Sequence, residues 1–122
     1  AVRAALEYEG PVYLRIGKKG EPVVHEAEPE FRIGRALRLR EGRQAWILSL
    51  GNTLPLALQT ADLLAQRGVT CGVASMGSLK PLDTSILAEV FASADVVATL
   101  EEHSVLGGLG TAVSEWLADE GR

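Results

Sequence analysis

The stretch Val96-Val97-Ala98-Thr99-Leu100-Glu101-Glu102-His103-Ser104-Val105-Leu106-Gly107-Gly108-Leu109-Gly110 decides the fold. It begins as an apolar run expected to be a buried strand. It breaks into a cluster of polar groups, passes through a glycine-rich turn and opens a helix. That is the layout of a site at the carboxyl edge of a parallel sheet.

Working outward, the same strand-then-helix unit occurs twice upstream. Ala45-Trp46-Ile47-Leu48-Ser49-Leu50 is a short, nearly continuous apolar run, as expected of a central strand buried on both faces. Gly51-Asn52-Thr53 ends it and opens a helix that tolerates Pro55 in its first turn. Leu54, Leu58, Ala61, Leu64 and Ala65 make one apolar face, and Gly68 suits a left-handed stop. Residues 69–76 form the next expected strand. Asp83 is a good N-cap for the helix after it, with Leu82 and Leu87 placed as a hydrophobic staple. Ile86, Leu87, Val90 and Phe91 form that helix's buried face. A last helix over about residues 108–119 buries Leu109, Ala112, Val113 and Trp116.

Before these units, residues 31–40 alternate and predict a strand with one wet face at a sheet edge. The turn Glu41-Gly42-Arg43 is short enough to pair it antiparallel with the strand that follows. The sum is a three-layer α/β/α domain, its sheet mostly parallel with one antiparallel strand. Residues 2–8 read as the tail of a helix stopped by Gly10-Pro11. Val12, Leu14 and Ile16 alternate with Tyr13 and Arg15 like a strand, and residues 26–30 have a linker's polarity. Residues 1–30 are therefore expected to be the end of a preceding domain plus a linker, and residues 31–122 a domain of their own.

A length of 122 residues suits one domain with a real core, and 47% hydrophobic against 23% charged residues excludes disorder. A net charge of −4 argues against nucleic acid as a partner. The basic positions Lys18-Lys19 and those between Arg32 and Arg43 read as solvated strand faces. Cys71 sits in an apolar run and reads as a small buried residue. No apolar run is long enough to span a membrane and no signal-peptide layout is present, so the expected compartment is the cytoplasm.

Polar residues gather at the expected strand ends: Asn52, Lys80, Glu101, Glu102, His103 and Ser104. His103 fits an acid/base or substrate-donor role, or a plain hydrogen bond to a backbone carbonyl or a neighbouring domain. Glu101 and Glu102 are adjacent, and in a strand adjacent side chains point to opposite faces, so an interface or capping use competes with catalysis. The glycines from 107 to 110 suit either an anion or close helix–strand packing. Lys80 suits an anion or a plain surface position. There is no nucleophile–base pair, metal-ligand spacing or P-loop.

Three stretches carry a family resemblance: Gly10-Pro11-Val12-Tyr13-Leu14-Arg15-Ile16-Gly17, Ser78-Leu79-Lys80-Pro81-Leu82-Asp83, and residues 101–110. In residues, order and separation the chain resembles the C-terminal part of transketolase-type thiamine diphosphate enzymes, most of all the separate C-terminal subunit of split bacterial transketolases. Deoxyxylulose-phosphate synthases and β-type subunits of 2-oxoacid dehydrogenases share the lysine-proline-leucine-aspartate turn and the paired glutamates. His103-Ser104 favours the split transketolases. The resemblance implies that residues 1–20 close a pyrimidine-binding domain and that one further short strand normally follows the last helix, a strand missing from these 122 residues.

The resemblance also implies a division of labour. Thiamine diphosphate and Mg2+ belong to two other domains at a dimer interface, so no catalytic, cofactor or metal residue is expected here. The parent enzyme would transfer two-carbon ketol units between sugar phosphates, with this part serving structure and dimerisation in a homodimer or split heterotetramer. His103, Glu101, Glu102, Ser104, Asn52 and Lys80 are the candidate interface or substrate-proximal residues. Three alternatives stand beside this: a docking module of a 2-oxoacid dehydrogenase-like assembly built on a β-type subunit, the C-terminal domain of a deoxyxylulose-phosphate synthase, and an anion-binding regulatory domain.

Overall fold

In a computed structural model of the protein, residues 1–18, 20–102 and 104–121 are described. The elements are α1 (Val2–Glu7), β1 (Leu37–Arg40), β2 (Ala45–Ser49), a 3-10 turn (Gly51–Thr53), α2 (Leu54–Gln66), β3 (Cys71–Ser75), α3 (Thr84–Ser93), β4 (Val96–Leu100) and α4 (Leu109–Asp119). The sheet order is β1-β3-β2-β4. β3, β2 and β4 are parallel and β1 is antiparallel to β3.

Side chains alternate across β2 and β3, and each face is covered by helices. Trp46, Leu48, Ala74 and Met76 meet Ile86, Leu87 and Val90 of α3 and Leu109 and Val113 of α4. Ile47, Cys71 and Val73 meet Leu54, Ala57 and Ala61 of α2 on the other face. Three layers result. The β2→β3 and β3→β4 connections run opposite ways across the sheet with their helices on opposite faces. They therefore share one hand, as the right-handed rule for parallel strands demands. Gly68 follows α2 at φ +79°, the left-handed position expected of it.

Four expectations are corrected. β1 pairs with β3, not with β2. The turn at residues 41–44 carries the chain over the start of β3 instead of folding back as a hairpin. Gly42 lies so close to it that a Cβ there would come within 1.9 Å of the Gly72 nitrogen. The strand predicted over residues 31–40 covers only Leu37–Arg40, because Gly34 turns the chain at φ +76°. Residues 12–16 form no strand and are exposed, for a strand needs a neighbour and none of the described residues supplies one. β4 is not buried; it is an edge strand, and Val96 is 60% exposed. Among the described residues no strand follows α4.

Trp46 shows how tightly β2 and β3 fit. Its indole Nε1 donates to the Gly42 carbonyl at 2.9 Å, and the Arg38 guanidinium lies 5.6 Å above its ring. Its partner across the parallel pair is Gly72, where a Cβ would stand 2.5 Å from the ring. Gly72→Ala is expected to cost about 1–3 kcal/mol by overpacking. Leu48→Ala, at a fully buried site, is expected to cost about 2–5 kcal/mol. Urea titration of each variant measures both losses, and wild-type midpoints would overturn the packing account.

Candidate functional site

β2, β3 and β4 all end on one edge of the sheet, where α2, α3 and α4 begin. α2 leaves β2 towards one face and α4 leaves β4 towards the other. The crevice between those two strand ends is where an open α/β sheet places a ligand. Here hydrogen bonds close it. Leu50 N donates to Leu100 O at 2.9 Å, extending the β2–β4 pairing past the last strand residue. The Thr53 hydroxyl lies 3.0 Å from both Leu50 O and Leu100 O, and 2.9 Å from the Ser49 hydroxyl. Ser49 is fully buried, so this polar cluster fills the floor of the crevice.

Glu101 turns out to be a helix cap. Its carboxylate accepts from Leu109 N at 2.7 Å and Gly110 N at 2.8 Å. It satisfies amides that have no partner inside α4 and places negative charge at the helix's positive end. The glycine run serves this bond. A Cβ on Gly108 would sit 2.2 Å from Glu101 Oε2, and Gly107 turns the chain at φ +72°. The Thr111 hydroxyl closes the turn, donating to Val105 O at 2.7 Å and accepting from Gly107 N at 3.2 Å. The anion position at this helix start is thus filled by the chain's own carboxylate. Its sequence signal was a carboxylate at a strand end shortly before a glycine run that opens a helix.

Glu102 points elsewhere and accepts from Asn52 Nδ2 at 2.9 Å. These two candidates are brought together, across the β2 and β4 ends, and both are exposed. Ser104 accepts from Leu106 N at 3.0 Å, a local turn bond. Lys80 is exposed in the β3–α3 connection, on a different turn from the Asn52–Glu102 pair. His103 lies outside the described residues.

Asp83 was expected only as a cap, and it does accept from Ser85 N at 3.2 Å and Ile86 N at 3.4 Å. It also takes Ala36 N at 2.9 Å and lies 3.5 Å from Arg35. Burial alone pushes its carboxyl up. The hydrogen bonds from Ser85, Ala36 and Ile86 and the charge of Arg35 outweigh that and hold it below the usual carboxylate range. Cys71 is buried as expected, and burial pushes its thiol up, towards the inert neutral form.

The arginines before and within β1 do not form a phosphate track. Arg32 pairs with Glu30, Arg35 with Asp83, Arg38 with Glu89 and Glu41, and Arg40 with Asp62. Two open clefts flank the edge. One of about 360 Å³ lies between Val24-His25 and Asn52, Pro55 and Ser75. The other, of about 680 Å³, runs along β4 and α4 past Phe91, Val97, Val105 and Leu117. Among the described residues, no group of three His, Cys, Asp or Glu side chains is placed to hold a metal ion. No helix among them is long and apolar enough to cross a membrane.

The family profile described as "Transketolase, C-terminal domain" matches residues 34–121. The chain belongs to that family. Over 122 residues it is 36% identical to the putative transketolase C-terminal section of Methanocaldococcus jannaschii, covering 98% of this chain and 38% of that protein. It is 37% identical to the 1-deoxy-D-xylulose-5-phosphate synthase of Lysinibacillus sphaericus, covering 98% of this chain and 19% of the synthase. Among solved structures it is similar to one described as "Split gene transketolase, inactive beta4 tetramer", with a TM-score of 0.92 and 44% identity over 98% of this chain and 40% of that one. The chain thus spans well under half the length of each of these relatives.

Two outcomes follow from the site. Glu101→Ala is expected to lose about 1–2 kcal/mol, on the scale of other cap deletions, with faster amide exchange at Leu109 and Gly110. Unchanged exchange there would remove the capping role. For Asp83 the folded carboxyl lies below the unfolded value of about 3.9. Its stabilisation is therefore fully present above that value and is lost as pH falls through the folded one. The stability gap between wild type and Asp83→Asn should hold constant from about pH 6 to 8 and narrow progressively as pH falls below the unfolded value, in urea titrations.

Proposed function

We propose that this chain is the C-terminal, architecture-setting part of a transketolase-type enzyme that transfers two-carbon ketol units between sugar phosphates. The observation that carries this reading is the closed crevice. The fold's usual ligand position between β2 and β4 is filled by the Ser49–Thr53 cluster, and Glu101 is committed to α4. Thiamine diphosphate and Mg2+ are the cofactors proposed for the parent enzyme. The residues here do not fit them: the edge carboxylates are held by helix amides or by Asn52, and no metal-holding group forms among the described residues. Cofactor and reacting sugar would then be held by other domains, in a cytoplasmic enzyme.

Residues 1–30 are proposed as the end of a preceding pyrimidine-binding domain plus linker, and residues 31–122 as the C-terminal domain. Support comes from the alternating Val12, Tyr13, Leu14, Arg15 and Ile16, which are exposed here and suit a sheet outside this chain. The partner is a domain or N-terminal subunit carrying the cofactor site, in a homodimer or a split heterotetramer. A relative in Actinobacillus succinogenes, 33% identical and described as one subunit of an apulose-4-phosphate transketolase, supports a split arrangement. The neighbour described as an inactive beta4 tetramer supports a chain that assembles without turning over alone. Interface or substrate-proximal roles are assigned to Asn52, Lys80, Glu102, His103 and Ser104, with Glu101 acting through the start of α4.

A second reading, the C-terminal domain of a deoxyxylulose-phosphate synthase, is favoured by relatives such as the 42% identical synthase of Thermomicrobium roseum. One experiment separates the two. The complete enzyme, given thiamine diphosphate and Mg2+, is assayed with a ketose phosphate donor and aldose phosphate acceptor, and separately with pyruvate and glyceraldehyde phosphate. Ketol transfer in the first assay is expected; turnover only in the second supports the synthase, and none in either overturns both. In the same enzyme His103→Ala is expected to lower turnover or dimer stability. Wild-type values of both would remove His103 from the site.

A further inference from the structure

The Asp83 carboxylate does more than α3 requires. Its Oδ1 accepts from Ser85 N, Ser85 Oγ and Ile86 N, which completes the cap. Its Oδ2 accepts from Ala36 N, on the irregular segment that leads into β1. The same segment is tied to the same connection elsewhere. Gly34 N donates to Ser78 Oγ at 3.0 Å, and the Arg35 guanidinium donates to Ser85 Oγ at 2.8 Å. The Phe31 ring lies on Gly77 so closely that a Cβ there would come within 2.6 Å, and a Cβ on Gly34 would stand 3.0 Å from Pro81 Cγ. Phe31, Gly34, Arg35 and Ala36 thus all end on residues 77–85. Residues 26–28, just upstream, are exposed, and the contact before them is Val24 against the cluster around Leu54 and Ala57.

We infer that Asp83 and Ser78 form a latch that fixes residues 31–36 on the β3–α3 connection and so sets where the chain enters β1. This rests on the hydrogen bonds alone and is independent of the proposed reaction. A cap needs one carboxylate oxygen; the second has no use within α3. The turn from Ser78 to Asp83 then carries two duties in one loop, starting a helix and holding the approach to β1.

Asp83→Asn separates these duties in the full chain. Asparagine is as good an N-cap as aspartate, but its amide nitrogen would face the Ala36 N–H, donor against donor. Amide exchange at Gly34 and Ala36 is expected to rise roughly tenfold or more beyond any change at Leu48, Val73, Ser85 and Ile86, as befits loss of a hydrogen bond to a charged group. Trypsin should cut faster after Arg32 and Arg35. Ser78→Ala should raise exchange at Gly34 in the same selective way, and it carries the test if Asp83→Asn fails to fold. Exchange at Gly34 and Ala36 that rises only as much as in the core would overturn the latch.

Discussion

The first amides of a helix have no partner within it, and three helices begin side by side at one edge of this sheet. The structure depends on how those amides are satisfied. Glu101 serves α4 and Asp83 serves α3, each from a side chain outside the helix. At α2 the 3-10 turn Gly51–Thr53 leads straight into the helix, and the Thr53 hydroxyl turns back to the strand carbonyls. At two of these three helix starts the position that in another α/β protein would attract a phosphate is filled by the chain's own carboxylate.

This bears on what the family motifs mean. Among the described residues, the two stretches most specific to the resemblance, residues 78–83 and 101–110, resolve into helix starts and the loops that brace them. Gly108 is small because Glu101 occupies the space beside it, and Gly77 is small because Phe31 does. Such residues carry information about the fold through the packing of helix starts. A chain can therefore be assigned to an enzyme family through residues that brace helix starts, while its chemistry has to be argued separately.

What was legible in the sequence was local. The apolar run of β2, the Gly68 stop, the Asp83 cap and the phase of α3 each depend on neighbours a few residues apart, and each stands as read. The three-layer arrangement followed from the order of such units. What was hidden depends on distance along the chain. β1 lies beside β3 because the turn at Gly42 crosses over Gly72, a contact thirty positions away that no periodicity encodes. Glu101 caps α4 from eight residues before Leu109, outside the short spacing of a capping box. Exposure of β4 was hidden too, because Val96-Val97-Ala98-Thr99-Leu100 is as apolar as a central strand. Its place in the sheet, not its composition, leaves it at the edge.

The candidate residues divide by the same logic. Asn52 and Glu102 belong to turns about fifty positions apart, yet they meet at hydrogen-bond distance because β2 and β4 are paired in register up to Ser49 and Leu100. Their separation is set by the Ser49–Thr53–Leu100 cluster beneath them, not by the side chains themselves. Both are exposed, so in water their bond is worth little to the fold. Its consequence is geometric: two polar groups on different loops are held in fixed relation on one rigid edge. Ordering such groups in advance lowers the entropy lost when a neighbouring surface packs against them. In the proposed enzyme such an edge would offer a neighbouring domain the fixed Asn52–Glu102 pair beside two helix starts already capped by Glu101 and Asp83.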